Sequence, residues 1–288
     1  MRRRSQNIII VLFVLVLAAI SLGVISFRFQ AAARREADAL FARVKNAETE
    51  TIEEEALAAL PPLIREWLVK SGVVGQERII SARVRQTFNI RLSPERPWME
   101  GDSYHYIITE EPGFVWIGRV VRFPFVRFDG KQVFVEGSGR RTFPLLAPGP
   151  GQEWGGPEAD QSGAVRYLSD IVWFPTAAVE EYIAWEQVDD ETVRAELNVE
   201  TRTVSGIFTF DENSMPKSFR AVSYEGLEGV ALPLLQSTEY KEIRELDGLM
   251  VPTRIESRWS VDDEYVSWYY FTINKLEFNE TKRFYAED

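Results

Sequence analysis

The stretch "IISARVRQTFNIRL", residues 79–92, alternates with a period of two. Ile80, Ala82, Val84, Phe88, Ile90 and Leu92 are apolar, while Ser81, Arg83, Arg85, Thr87, Asn89 and Arg91 are polar. Successive side chains of a β-strand point to opposite faces, so this pattern predicts a long strand with one buried and one wet face. Gln86 is the single exception, a polar residue on the apolar parity. Similar strand-like runs follow at 104–109, 114–123, 132–136, 193–199, 205–210, 218–224, 238–245, 251–260 and 265–278. Asp211-Glu212-Asn213, Asp247-Gly248 and Asp262-Asp263 are turn signals between them. Consecutive strands joined by short turns imply an antiparallel meander, and a sheet this wide must curl or close to bury its apolar face. The predicted fold is mainly β: a curled antiparallel sheet or half-barrel with a few covering helices, one domain over residues 60–288.

Helical periodicity is confined to a few places. Ala37, Leu40, Phe41 and Val44 form one apolar stripe, within a juxtamembrane stalk assigned to residues 29–59. "TETIEEEALAALPP", residues 49–62, has capping-box spacing between Thr51 and Glu54 and acids in its first turn, which predicts a helix. Pro62 opens the next helix and Gly72 is placed to end it. The segment 147–163, with five glycines and three prolines, reads as a loop without regular structure. It leads into "VRYLSDIVWFPTAAV", residues 165–179, a short amphipathic helix stopped by Pro175. Val165, Leu168, Ile171 and Val172 share one side with Tyr167 at its margin, and Arg166, Ser169 and Asp170 share the other. The helix is expected to lie over the sheet with Trp173 and Phe174 as its plug. The functional alternative makes Arg166, Tyr167, Asp170 and Trp173 the rim of an apolar cavity between helix and sheet.

The N-terminus predicts the surroundings. Arg2, Arg3 and Arg4 precede an uncharged apolar run, Ile8–Phe27. Those 20 residues, at about 1.5 Å each, match the roughly 30 Å hydrocarbon core of a bilayer. Residues 1–28 are therefore expected to be an uncleaved transmembrane anchor. Ala31-Ala32-Ala33 imitates a signal cleavage site, but the run is long for a signal core and Arg28 intervenes. The short basic tail favours a cytoplasmic N-terminus and an extracytoplasmic body, at the plasma (inner) membrane.

Composition narrows the chemistry. With 45% hydrophobic and 27% charged residues the chain is an ordinary globular one. It has no cysteine, which excludes disulfides, thiolate nucleophiles and Cys-ligated metals. The net charge of −11 argues against nucleic acid as a partner. Residues 78–141 carry 11 basic against 7 acidic side chains, an excess of four in an otherwise acidic body. Arg83 and Arg85 share the wet face of the first strand, a candidate surface for phospholipid heads or polyanionic wall polymers, since Arg pairs with phosphate bidentately. His105 is the only histidine and is expected to satisfy a local hydrogen bond between Tyr104 and Tyr106. No metal site or cofactor is expected: imidazole ligands are lacking, "GSGRR" from Gly137 lacks the third glycine of a dinucleotide loop, and the acidic runs match no calcium-loop spacing.

Five motifs carry a resemblance. They are "LPPLIREWLVKSGVVG" (60–75), "RPWMEGDSYHYIITEEPGFVWIGRV" (96–120), "RYLSDIVWFPTA" (166–177), "VSGIFTFDEN" (204–213) and "EYKEIRELDGLMVPTRIESRW" (239–259). In this order they resemble a bacterial family known only as domain of unknown function 6544, from about Leu60 to the C-terminus. Similar sequences carry Glu after the Tyr-Leu pair where this chain has Asp170. At the fold level the pattern is similar to the periplasmic lipoprotein-carrier architecture, a curled sheet with a helical lid over an apolar hollow. The family implies no catalytic residues. The expected function is non-enzymatic binding of a lipid, another amphiphile or an envelope partner. A carboxylate-dependent envelope hydrolase would need two acids converging in the cavity; a regulatory ectodomain without a ligand would have a filled core. The sequence leaves the oligomeric state open.

Overall fold

The structure, a computed structural model, describes residues 2–45, 50–91, 93–123, 126–143, 152–227, 230–261 and 264–284. It opens with a long helix, α1 (Arg2–Phe41), then a single 3-10 turn (Glu54–Leu57) and α2 (Pro62–Lys70). Six strands follow: β1 (Ser81–Ile90), β2 (Met99–Ile108), β3 (Gly113–Phe123), β4 (Val126–Val135), β5 (Ser138–Phe143) and β6 (Gln152–Gly155). Next come α3 (Pro157–Asp170) and the 3-10 turns Ile171–Trp173 and Pro175–Val179. The chain ends with β7 (Ile183–Gln187), β8 (Thr192–Val199), β9 (Arg202–Phe210), β10 (Pro216–Leu227), β11 (Val230–Leu246), β12 (Leu249–Val261) and β13 (Glu264–Phe278).

All strands belong to one antiparallel sheet in the order β6-β5-β4-β3-β2-β1-β13-β12-β11-β10-β9-β8-β7. β1 and β13 pair at its centre, so one arm runs outward from β1 to β6 and the other from β13 to β7. The two edge strands are joined by the α3 segment, and α3 touches β5 on one arm and β9 and β10 on the other. One helix can reach both arms only if the sheet curls around it. The curled antiparallel sheet expected from the alternation is therefore present, and it is unclosed, with β6 and β7 at its edges.

In β1 the predicted faces hold: Ala82, Val84 and Phe88 are buried in the main core, while Arg85, Thr87 and Asn89 are exposed. The outer face is not wet throughout. Arg83 is only 9% exposed, because the C-terminal segment folds back over it. Its guanidinium donates to Glu277 (2.7 Å) and to the carbonyl of Lys282 (2.8 Å), and lies 4.5 Å from the Phe284 ring centre. The second half of α1 covers the same face further along. Ala37, Leu40 and Phe41, the predicted stripe, pack with Ala33 on Tyr106, Val115, Ile117 and Val133.

Two expectations are corrected. Residues 50–61 hold one 3-10 turn rather than a helix, and 46–49 lie outside the described residues. Thr51 forms a β-bridge with Glu77, and Ile52 exchanges backbone hydrogen bonds with Gln76 and Gly75, so the backbone groups a helix needs are already paired. The Glu53 cap position makes no side-chain bond. Second, the Gly/Pro-rich segment is not structureless: it contains β6 and the first half of α3, with 144–151 outside the described residues. Pro157 stands in the first helical turn with Glu158 and Asp160, where a missing N–H is harmless and acids favour the helix dipole. Gly163 is required there because a Cβ would come within 2.6 Å of the Phe134 ring.

Among the described residues no helix is long and apolar enough to cross a membrane. Within the expected span Ile8–Phe27, the side chains at 8, 11, 12, 15 and 18 lie outside the described residues. The others, from Ile9 and Phe13 to Val24 and Phe27, are largely exposed.

Candidate functional site

The register places one cross-strand row on the concave face: Val84 beside His105, His105 beside Trp116, Trp116 beside Gln132, Gln132 beside Arg141, and Arg141 beside Trp154. The row on one side is apolar, with Ala82, Ile107, Phe114, Phe134 and Gly139, and α3 lies on it. A Cβ at Gly139 would overlap the Ala159 carbonyl of α3, so this contact needs glycine. The row on the other side holds Gln86, Ser103, Gly118 and Gly130, small or polar positions that α3 does not cover. A polar row thus runs between the helix and the open end of the curled sheet.

α3 adds its own polar groups. Arg166 donates to Gln132 Oε1 (2.6 Å), and its guanidinium lies 5.3 Å from both the Phe114 and Trp116 ring centres. Arg166 Nε is 3.5 Å from Asp170 Oδ2, the i, i+4 pair of the sequence. His105 Nδ1 is 3.7 Å from the same oxygen. Burial, and secondarily the Arg166 charge, hold the His105 imidazole well below its ordinary pKa. It is therefore neutral, and its approach to Asp170 is neither an ion pair nor, at that distance, a hydrogen bond. Burial raises the Asp170 carboxyl to about 7 against the opposing pull of Arg166. Burial likewise lowers Arg166, although a fifth of its side chain remains accessible.

What distinguishes the place is incomplete pairing. Gln86 Nε2 and both ring nitrogens of His105 are buried without a hydrogen-bond partner, while Trp116 Nε1, the Tyr269 hydroxyl and Asp170 Oδ2 have only long contacts, to one another, to Ser103 or to Arg166. They are contiguous. Gln86 Oε1 accepts from Ser103 (3.1 Å), Ser103 and Trp116 are the polar neighbours of the Tyr269 hydroxyl, and Phe88 touches both the Trp116 and Tyr269 rings. Each full orphan costs about 1–3 kcal/mol, so this is the least satisfied buried polar group on the concave face. The expectation that His105 satisfies a local hydrogen bond is thus corrected: it lies on the concave face, edge-on to Phe114, and bonds to nothing in the chain.

The other candidates divide. Tyr167 is buried, with its hydroxyl on the Ile108 carbonyl (3.2 Å) and against Tyr182 (3.1 Å). Trp173 donates to the Pro252 carbonyl (3.0 Å) and packs on Phe271. Both lie in the filled core beneath α3, where Phe134, Tyr167 and Phe174 stack in sequence, so no hollow underlies this part of the helix. Nor is the Ser169–Asp170 side of α3 wet: both residues are buried because the curled sheet surrounds the helix. Arg83 and Arg85 sit on the outer face, remote from Arg166. The sequence signal for the missed members was polar residues on buried parity in adjacent strands: Gln86, Ser103, His105 and Gln132. Cavities of about 340 and 180 Å³ lie beside the end of α1, lined in part by Phe41 and Phe284, and by Arg43 and Glu111.

The chain belongs to the family of unknown function DUF6544, whose profile matches residues 50–271. No curated protein matches it. Similar solved structures include a LolA superfamily protein from Nitrosomonas europaea, at 14% identity over 75% of this chain and 93% of that one, TM-score 0.42. A putative outer membrane lipoprotein-sorting protein domain from Vibrio parahaemolyticus matches at 11% identity over 69% and 85%, TM-score 0.44. A DUF1329 family protein from Desulfovibrio piger matches at 9% identity over 69% and 86%, TM-score 0.41.

Proposed function

We propose that this chain is a membrane-anchored, extracytoplasmic binding domain that holds a lipid or other amphiphile without chemical change. The observation that carries the reading is the under-paired polar cluster on the concave face, with Gln86 Nε2 and both His105 nitrogens unpartnered at its centre. A polar head there receives a donor from Arg166 and the Gln86 amide, and meets the His105 ring and the Asp170 carboxyl. The apolar part extends toward the open end, along the Phe88, Trp116 and Tyr269 rings. Anchoring is supported by the exposed apolar side chains of α1, since soluble surfaces rarely carry patches of that size. Residues 1–28 are the anchor in this reading, N-terminus inside, and 60–288 form the body.

The test is extraction and mass spectrometry of the full chain purified from membranes in mild detergent. A discrete amphiphile is expected with the native chain. It is expected to be lost from Arg166→Leu/Asp170→Leu, a change that removes both halves of the buried pair together and gives up the Gln132 hydrogen bond, folding being checked by circular dichroism. Equal amphiphile content in the two folded chains overturns the assignment of the head to this row.

A further inference from the structure

The direction of α1 is fixed by its polar contacts along β4. Ser26 and Gln30 both meet Asp129, Glu36 meets Lys131, and Arg43 meets Glu136 (2.6 Å). From Ser26 to Arg43 the helix rises about 26 Å, and from Asp129 to Glu136 the strand rises about 23 Å. The helix therefore lies along β4, and its earlier residues continue past Asp129 toward the strand's start at Val126. By register this is the end where β1 meets β2, β3 meets β4, β5 meets β6, β10 meets β11 and β12 meets β13. It is also the end toward which the concave polar row is left uncovered by α3.

We propose that this open end of the sheet rests on the lipid surface from which α1 emerges, so that the concave site faces the leaflet. The inference rests on the anchor reading above. Val126 is level with helix residue ~21, given the two rises per residue. The strand ends then reach the level of the outermost ~10 Å of the apolar run, at the boundary between acyl chains and headgroups. An independent observation points the same way. Among described side chains of this half of the body, Trp98, Tyr265 and Tyr270 are exposed aromatics, 37–45% accessible, and the aliphatic Val222 and Leu235 are exposed too. Aromatic side chains with a polar tip are favoured in the interfacial layer. Access by an amphiphile then needs no passage through water.

The absence of cysteine makes the test direct. Tyr265→Cys, at the start of β13, and Val69→Cys, in α2 near the opposite β11–β12 turn, are made in the full chain and given a nitroxide label. The chain is reconstituted into phosphatidylethanolamine–phosphatidylglycerol vesicles, and spin relaxation by lipid-soluble oxygen and by a water-soluble nickel chelate is compared. The label at 265 is expected to favour oxygen several-fold, and the label at 69 the chelate. If both labels favour the chelate while the chain stays with vesicles through an alkaline wash, the orientation is wrong and the anchor stands. If the wash strips the chain from the vesicles, the anchor reading falls and this proposal with it.

Discussion

β2, β3 and β4 are covered on both faces, and the two faces treat their polar groups in opposite ways. On the outer face, under α1, each buried charge meets a counter-charge. Asp129 accepts from Gln30 (2.7 Å), Arg119 (3.0 Å) and Ser26, and Lys131 pairs with Glu36. On the concave face, one residue away along the same strands, His105 bonds to nothing, Trp116 meets only the Tyr269 hydroxyl, and Asp170 lies 3.5 Å from Arg166. Burial alone does not explain the contrast, since Asp129 and Lys131 are buried as His105 and Trp116 are. Polar groups paired within the chain fasten an element; polar groups buried and left open are arranged for something else.

The largest effect expected from this contrast is on the outer face. Asp129 is fully buried, and Asp129→Ala leaves the Arg119 charge without its partner and frees two α1 side chains. The cost is about 3–5 kcal/mol, as for breaking one half of a buried pair. Denaturant unfolding of the full chain in detergent measures it. A cost below about 1 kcal/mol contradicts the assignment of that face to fastening.

A somewhat smaller effect is expected on the concave face, with a distinctive pH dependence. Asp170 titrates at about 7 in the folded chain, above the 3.8 of an ordinary aspartate, because burial disfavours its charge. The folded state therefore binds more protons than the unfolded state between those values. Stability falls as pH rises from about 4 to about 7, by roughly 2–4 kcal/mol in all. Asp170→Asn removes that slope and leaves the outer-face pairs as they were. Parallel stability–pH curves for the two chains place Asp170 in water, not on a dry face.

The sheet was legible where the chain obeys one period. Residues 80–92 announced β1, and the single exception, Gln86, announced the site without being read that way. The stretches that failed are those where position outweighs composition. Segment 147–163 looks like a loop when its glycines are counted. Pro157 in the first helical turn and Gly163 against Phe134 are nevertheless the residues this helix needs in those places. His105 was misread because parity in one strand does not say which face is concave; only the pairing of Val84, His105, Trp116 and Gln132 does. The union of Arg166 with that row depends on a helix crossing a curled sheet, which no local pattern encodes.

The smallest stability change carries the sharpest distinction. If His105 were part of a structural network, His105→Leu would orphan its partners and cost as much as a broken buried bond, about 1–3 kcal/mol. Neither of its nitrogens has a partner in the chain, so there is nothing to orphan. Leucine has nearly the volume of the imidazole and sits well against the Phe114 ring that now meets His105 edge-on. The substitution is expected to change unfolding free energy by less than about 1 kcal/mol, and to raise it if anything, because an apolar side chain replaces a buried polar one. Amphiphile content should nevertheless fall, since a head bonded to the imidazole loses that bond. A folded His105→Leu chain that is destabilised yet keeps its amphiphile would place His105 with the fastening residues of the outer face and erase the difference between the two faces at this position.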